Sequence, residues 1–351
     1  MRVVVGAGGA ALLSASALLT PAAIARAEVT ELCRFDGDRL AEISGLAYST
    51  VHEGIVWAHN DSGGGARLYA IDTDNCDIRA VVRVRGIEAR DPEAIAAGTS
   101  TAGAPVLWWG DVGDNTSQRR FVEIHEVPEP ADLRNATVTA TSYRVRLEDR
   151  QDAEALLADG DRLWLIGKGL LGGHVWQLPS PLRADRPARA RIVGTEEALV
   201  TDAAMRPGGG YAVRDYSEVR IYAGTPPGVL ESRMPLPEQV QGEAMTWTPD
   251  GTALVIASEG DDRLLRVPVT TPAPAPDTTP SPAATSPSAT ASSQEPVAGV
   301  SPAGTPTPVA AALAPVDRVG SLAVLALAVG AAVFIVSAAA VAVVARLRSR
   351  H

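Results

Sequence analysis

The sequence predicts an all-β protein: a β-propeller of five four-stranded blades closed by the N-terminal strand, plus one C-terminal transmembrane helix. Three observations predict it. Short β-rich runs recur in groups of four, separated by Gly, Asp, Asn and Pro. Each group opens on an acid followed by small apolar residues: "EISGLAYS" at Glu42, "EAIAAG" at Glu93, "EALLAD" at Glu154, "DAAMRP" at Asp202 and "EAMTWTP" at Glu243. The steps between these acids are 51, 61, 48 and 41 residues. Four short strands repeated at such a period are the sequence form of a propeller blade.

In chain order, residues 1–27 read as a secretory signal peptide. Met1-Arg2 is followed by an uncharged run of apolar and small residues, and Ala25-Arg26-Ala27 forms an A-x-A cleavage box. Residues 28–270 are the propeller head. After each acid-led run comes a second strand ("GIVWAHND", "PVLWWGD", "RLWLIGK", "GYAVRD", "ALVIASEG"). A third follows ("RLYAID", "FVEIHEV", "HVWQLP", "VRIYAG", "RLLRVPV"). Four units have a fourth strand: "RAVVRVRG", "ATVTATSYRVRL", "ARARIVG" and "VLESRMPLP". The fifth lacks one, and "ELCRFDGDRL" at residues 31–40 is the spare strand that completes it. Such closure removes the exposed edges of an open ring.

Cys33 falls in that closing strand, and Cys76 in the turn before the fourth strand of the first blade. Adjacent outer strands in an oxidising compartment predict a Cys33–Cys76 disulfide. Residues 271–318, rich in Pro, Ser, Thr and Ala, bury too little apolar surface to fold and read as a stalk. Residues 319–345 carry no charge and are long enough for a span of about 20 residues. The basic tail 346–351 has Arg346, Arg348 and Arg350, which places it in the cytoplasm and the head outside.

Charge narrows the partners. The head carries 25 basic against 38 acidic side chains, and Lys168 is the single lysine of the chain. A nucleic-acid partner is excluded, because phosphate binding needs a basic face. The expected partners are the membrane, through the C-terminal helix, and an extracellular protein or glycan.

In a propeller the start of each innermost strand and the end of the second strand meet at one face. That places "HNDSGGG", "GDVGDN", "GKGLLGG", "RDYS" and "SEGDD" on one rim with the five strand-leading acids. The candidate ligand-binding residues are His59, Asn60, Asp61, Lys168, Arg214 and Asp215. The candidate metal ligands are Glu42, Glu93, Asp111, Asp114, Glu154, Asp202, Glu243 and Glu259. Crowded carboxylates raise one another's pKa unless a cation sits among them. The expected cofactor is a divalent cation, calcium first, since Ca²⁺ takes six to eight oxygen ligands. The plainer reading is that these acids cap backbone N–H groups of neighbouring blades.

The set "EISGLAYS…WAHNDSGG.ARLYAID", "DPEAIA…GDVGDN..RR", "EALLAD", "VTDAAMRPGGGYAVRDY" and "QGEAMTW…ASEG" resembles a group of exported bacterial β-propeller proteins, within the wider set of lactonase, phytase-like and NHL-type propellers. The resemblance covers Glu42 to Glu259. It implies the fold and no particular chemistry. Pro92 stands where it implies an aromatic between Asp91 and Glu93.

Other motifs are plain. Trp57, Trp108 and Trp164 take matching places in second strands, which signals packing between blades. No G-x-S-x-G elbow, H-E-x-x-H helix, paired-cysteine zinc spacing or phosphate loop is present. Asn60, Asn115 and Asn135 begin N-x-[ST] sequons. Three functions follow as expectations. The first is a surface-displayed binding module with an acidic, cation-binding channel mouth. The second is a metal-assisted hydrolase of an ester, lactone or phosphoester, with His59 or Glu154 as base. The third is a glycosidase using two rim carboxylates.

Overall fold

The computed structural model describes residues 28–269, which fold as five sheets in a closed ring, each built on a four-stranded antiparallel blade. From the channel outward, blade 1 is Ile43–Tyr48, Ile55–Asn60, Arg67–Asp72 and Ile78–Arg85. Blade 2 is Pro92–Thr99, Pro105–Asp111, Val122–Pro128 and Thr141–Arg146. Blade 3 is Ala153–Asp159, Arg162–Gly167, Gly173–Gln177 and Arg191–Glu196. Blade 4 is Asp202–Met205, Tyr211–Arg214, Glu218–Ala223 and Val229–Pro235. Blade 5 is Gln241–Trp247, Ala253–Glu259 and Arg263–Pro268, completed by Thr30–Arg34. The five-bladed count is as the repeats predict. The signal peptide, stalk, membrane span and basic tail fall outside the described residues. Among the described residues no helix is long and apolar enough to cross a membrane.

Burial explains the strand sequences. Innermost strands are covered on both sides, and Ala153–Asp159 is buried at all but its last residue. Such strands read as runs of small and apolar residues, interrupted here by the acid near the start. The outer strand Ile78–Arg85 has one solvated face, and its buried residues, Ala80, Val82 and Val84, alternate with more exposed ones. Inner strands of neighbouring blades pack against one another all the way round.

The apolar core lies between blades. It forms five clusters, and each draws on two adjacent blades. Trp57 packs with Ile95 and Trp109 of blade 2. Trp108 packs with Leu156 and Trp176 of blade 3, and Trp164 with Val200 and Tyr211 of blade 4. Two of these indoles also hydrogen-bond across the seam. Trp57 Nε1 donates to Glu129 Oε1 at 2.8 Å, and Trp108 Nε1 to the Gly160 carbonyl at 3.2 Å.

Closure follows the sequence reading with two changes of detail. Thr30–Arg34 pairs antiparallel with Arg263–Pro268, and Cys33–Cys76 is a disulfide with Cα atoms 5.5 Å apart. The closing strand ends at Arg34 rather than at residue 40, because Asp36 to Leu40 form a turn in which Arg39 N donates to the Asp36 carbonyl at 3.0 Å. The second change concerns "ATVTATSYRVRL", which is two strands and not one. Ala136–Thr139 joins blade 1, parallel to Ile78–Arg85, while Thr141–Arg146 joins blade 2. Ala188–Arg189 likewise lies parallel to Thr141–Arg146. Each piece covers an outer edge that would otherwise expose unpaired backbone groups.

Candidate functional site

The acidic mouth is built by β-bulges. In four inner strands the pairing register slips by one residue near the start, between Ile43 and Gly45, Pro92 and Ala94, Ala153 and Ala155, and Gly242 and Ala244. The extra residues are Ser44, Glu93, Glu154 and Glu243. A bulge re-aims a side chain out of the regular pleat. Blade 4 has no bulge, and Asp202 pairs directly with Arg214. This register corrects the alignment of the first repeat. Ser44, not Glu42, is the counterpart of Glu93, Glu154 and Glu243. Glu42 precedes its strand and corresponds to Asp91, Asp152 and Gln241, each two residues before the bulge residue.

The structure divides the expected metal ligands into two groups. Asp111, Asp114 and Asp202 are occupied by structural bonds. Asp111 accepts from the backbone N–H groups of Arg90 and Asp91 and from Arg119 Nη1 at 2.7 Å. Asp114 accepts from Gln118 and Arg119 N–H and folds its own loop. Asp202 accepts from Ala203 N and, across the seam to blade 5, from Met245 N at 2.6 Å. For these three, the plainer capping reading is the one their bonds describe.

The other group meets at the mouth. Glu42, Asp61 and Glu259 each offer an oxygen within 4.8 Å of the other two. Asp61 Oδ1 and Glu259 Oε2 are buried and accept no hydrogen bond, and Asn60 Oδ1 is in the same condition. Glu93 receives the Ser44 hydroxyl at 2.9 Å. Lys168 Nζ lies 3.2 Å from Glu154 and 4.0 Å from Glu243, and its ammonium sits 5.6 Å from the Tyr216 ring centroid. Gln241 Nε2 donates to Glu243 at 3.0 Å.

Three expected rim residues do something else. His59 is fully buried between blades 1 and 2, with its ring 5.8 Å from that of Trp109. Burial pulls its pKa down to about 4, so it is a neutral core imidazole. Arg214 is also fully buried, donating to the carbonyls of Ala244 and Asp215 and to Gln239 Oε1. Burial lowers its pKa to about 10. A side chain at Gly242 would collide with this guanidinium, so glycine is required there by close approach. Asp215 closes its own turn and binds Arg220.

The electrostatics are those of an under-compensated carboxylate cluster. Burial, then the charges of Glu42 and Glu243, push Asp61 up to about 6. Burial, the adjoining Glu42 carboxylate and the charges of Glu243 and Asp61 push Glu259 up to about 9. Burial carries Glu93 up to about 8, against the pull of Ser44. Glu154 is raised well above the usual range by burial and by Glu93, although Lys168 opposes this. Burial would lower the Lys168 pKa, but Glu154, Tyr216 and Glu243 hold it above the ordinary value.

Several contributors escaped the sequence reading: Ser44, Asp91, Asp152, Tyr216 and Gln241. One signal was present. "DPE" and "DAE" repeat an acid two residues before the bulge acid, and "EIS" and "QGE" hold the same frame.

The donor set fits a hard cation. It is all oxygen, it is anionic, and two of its oxygens lack any hydrogen-bond donor. Zinc sites are usually built from nitrogen and sulfur, and none is offered here.

No protein-family model matches the chain, and no curated protein matches it. Among solved structures, it is similar to the Cps50 (Swd1) β-propeller domain of Myceliophteria thermophila, with 13% identity and TM-score 0.36, covering 65% of this chain and 84% of that one. A gluconolactonase of Xanthomonas campestris gives 13% identity and TM-score 0.40, over 68% of this chain and 89% of the other. Virginiamycin B lyase of Staphylococcus aureus gives 13% identity and TM-score 0.35, over 65% and 66%. None of these transfers a residue role.

Proposed function

We propose that this chain is a binding module, exported and held at the membrane by its C-terminal helix. Its acidic channel mouth takes a divalent cation, calcium first, through Glu42, Asp61 and Glu259, and presents it to an extracellular protein or glycan. The observation that carries the reading is the pair of buried, donor-less oxygens on Asp61 and Glu259 within a three-carboxylate cluster. A bound cation would complete both. Arg263–Pro268 ends at the face opposite this mouth, since Pro268 pairs with Ala253.

The test is thermal unfolding of the purified protein in chelator and with calcium, magnesium, manganese or zinc. A ligand stabilises the state that binds it. A calcium-dependent rise of several degrees, abolished in Asp61→Asn/Glu259→Gln, is expected. No shift with any of the four ions refutes the cation site.

A second reading, a metal-assisted hydrolase of an ester, lactone or phosphoester, has one specific support. Glu93 is an acid whose pKa near 8 suits proton exchange at neutral pH. Turnover in an esterase, lactonase and phosphatase screen with the stabilising ion, lost in Glu93→Gln, would favour it.

A further inference from the structure

The opposite end of the channel is chemically unlike the acidic mouth. A cavity of about 470 Å³ opens there between the ends of the inner strands of all five blades. This lies within the range of small-molecule sites, roughly 300–1,000 Å³. Its wall is apolar and mostly small: Ala47, Ala97, Ala158 and Ala204, with Ile95 and Trp247 among the larger surfaces.

The polar groups along this wall are nearly all committed. Thr246 Oγ1 accepts from Tyr48 N. The Ser49 and Thr50 hydroxyls donate to Glu129 at 2.5 and 2.8 Å. Arg206 is the exception. Its Nε donates to the Gly251 carbonyl at 3.2 Å, and its guanidinium lies 4.9 Å from the Trp247 ring centroid. Among the described residues its terminal nitrogens meet no protein acceptor and no carboxylate lies within 4.0 Å, so both remain open to solvent and to a ligand. A guanidinium fixed by stacking and one backbone bond presents a rigid fork that matches a planar oxyanion.

We propose that this cavity is a second binding site, for a small carboxylate with an apolar body, and that Arg206 receives the carboxylate. The apolar wall selects the body of the ligand, and the unpaired guanidinium selects its charge. The site is independent of the cation-binding mouth. It uses other residues at the other end of the channel and needs no metal.

The experiment is isothermal titration of the full chain in lipid nanodiscs with 2-naphthoate, and with 2-naphthamide as the neutral isostere. Saturable 1:1 binding of naphthoate is expected, with affinity at least tenfold weaker for the amide. Arg206→Gln should weaken naphthoate at least tenfold and leave the amide unchanged, and Arg206→Lys should fall between. Ala97→Phe, which fills the cavity, should weaken both ligands. Unchanged melting of the variants separates a lost site from a lost fold, and chelator in every titration separates this site from the mouth. Equal binding of acid and amide, undiminished naphthoate binding to Arg206→Gln, or no binding of naphthoate at millimolar concentration overturns the proposal.

Discussion

At the scale of single residues, one charge type is used in three ways. Asp202 satisfies backbone donors across a seam. Asp215 and Glu196 neutralise Arg220, which is 1% exposed and lies 2.8 and 3.0 Å from them. Glu42, Asp61 and Glu259 gather without a donor for every oxygen. The carboxylates of the mouth set a pH dependence. Burial raises Glu93 to about 8 and Glu259 to about 9. The folded state therefore keeps protons that the unfolded chain releases near pH 4.5. Stability from these groups is full below the unfolded pKa and is lost as pH rises through the folded values. His59 and His125, both lowered to about 4 by burial, contribute in the opposite sense at acid pH, so the clean window lies above about pH 7. In chelator the melting temperature should fall between about pH 7 and 9.5, and less steeply in Glu259→Gln. A midpoint that rises across this window contradicts the burial of uncompensated carboxylates.

At the scale of elements, the informative feature is the extra edge strand. Ala136–Thr139 was legible as β, since alternating Thr and Val favour an extended chain. Its partner was not, because parallel pairing with Ile78–Arg85 depends on where two blades stand and not on local pattern. Asn135 pins the junction. Its Oδ1 accepts from Val81 N at 2.8 Å. Asn135→Ala should cost about 1 kcal/mol, the net value of one such hydrogen bond, measurable by denaturant unfolding. No loss would mean that water replaces the side chain. The bulges belong to this scale as well. They move Glu93, Glu154 and Glu243 out of the pleat, and a one-residue slip has no signature in the sequence of one strand.

At the scale of the whole molecule, the ring is held by five seams and one covalent closure. Each core cluster needs two blades, so an opened ring loses the blade 5–blade 1 seam entire. The Cys33–Cys76 bond spans 43 residues and links those two blades. Cys33→Ser/Cys76→Ser should lower stability by roughly 2–4 kcal/mol, read as a shift in the denaturant midpoint. Reductant should reproduce the shift in the wild type and leave the variant unchanged. An unaltered midpoint would show that strand pairing alone closes the ring.

The sequence alone carried the repeat: five acid-led groups of short strands, the spare N-terminal strand, the disulfide and the inter-blade tryptophans. These are periodic features, and burial on one face or on both writes them directly into residue pattern. It also placed Asp61, Glu259 and Lys168 on a common rim. Which acids face the mouth depended on how the blades pack in space. Glu42 matches Glu93 by motif but Asp91 by register, two residues away, because the bulge residue of the first blade is Ser44. His59 and Arg214 read as rim residues and are core, because burial depends on what the neighbouring blade lays over them. Asp111, Asp114 and Asp202 read as ligands and are caps, because a carboxylate meets whatever donor is nearest in space, and that donor is often on another strand or another blade.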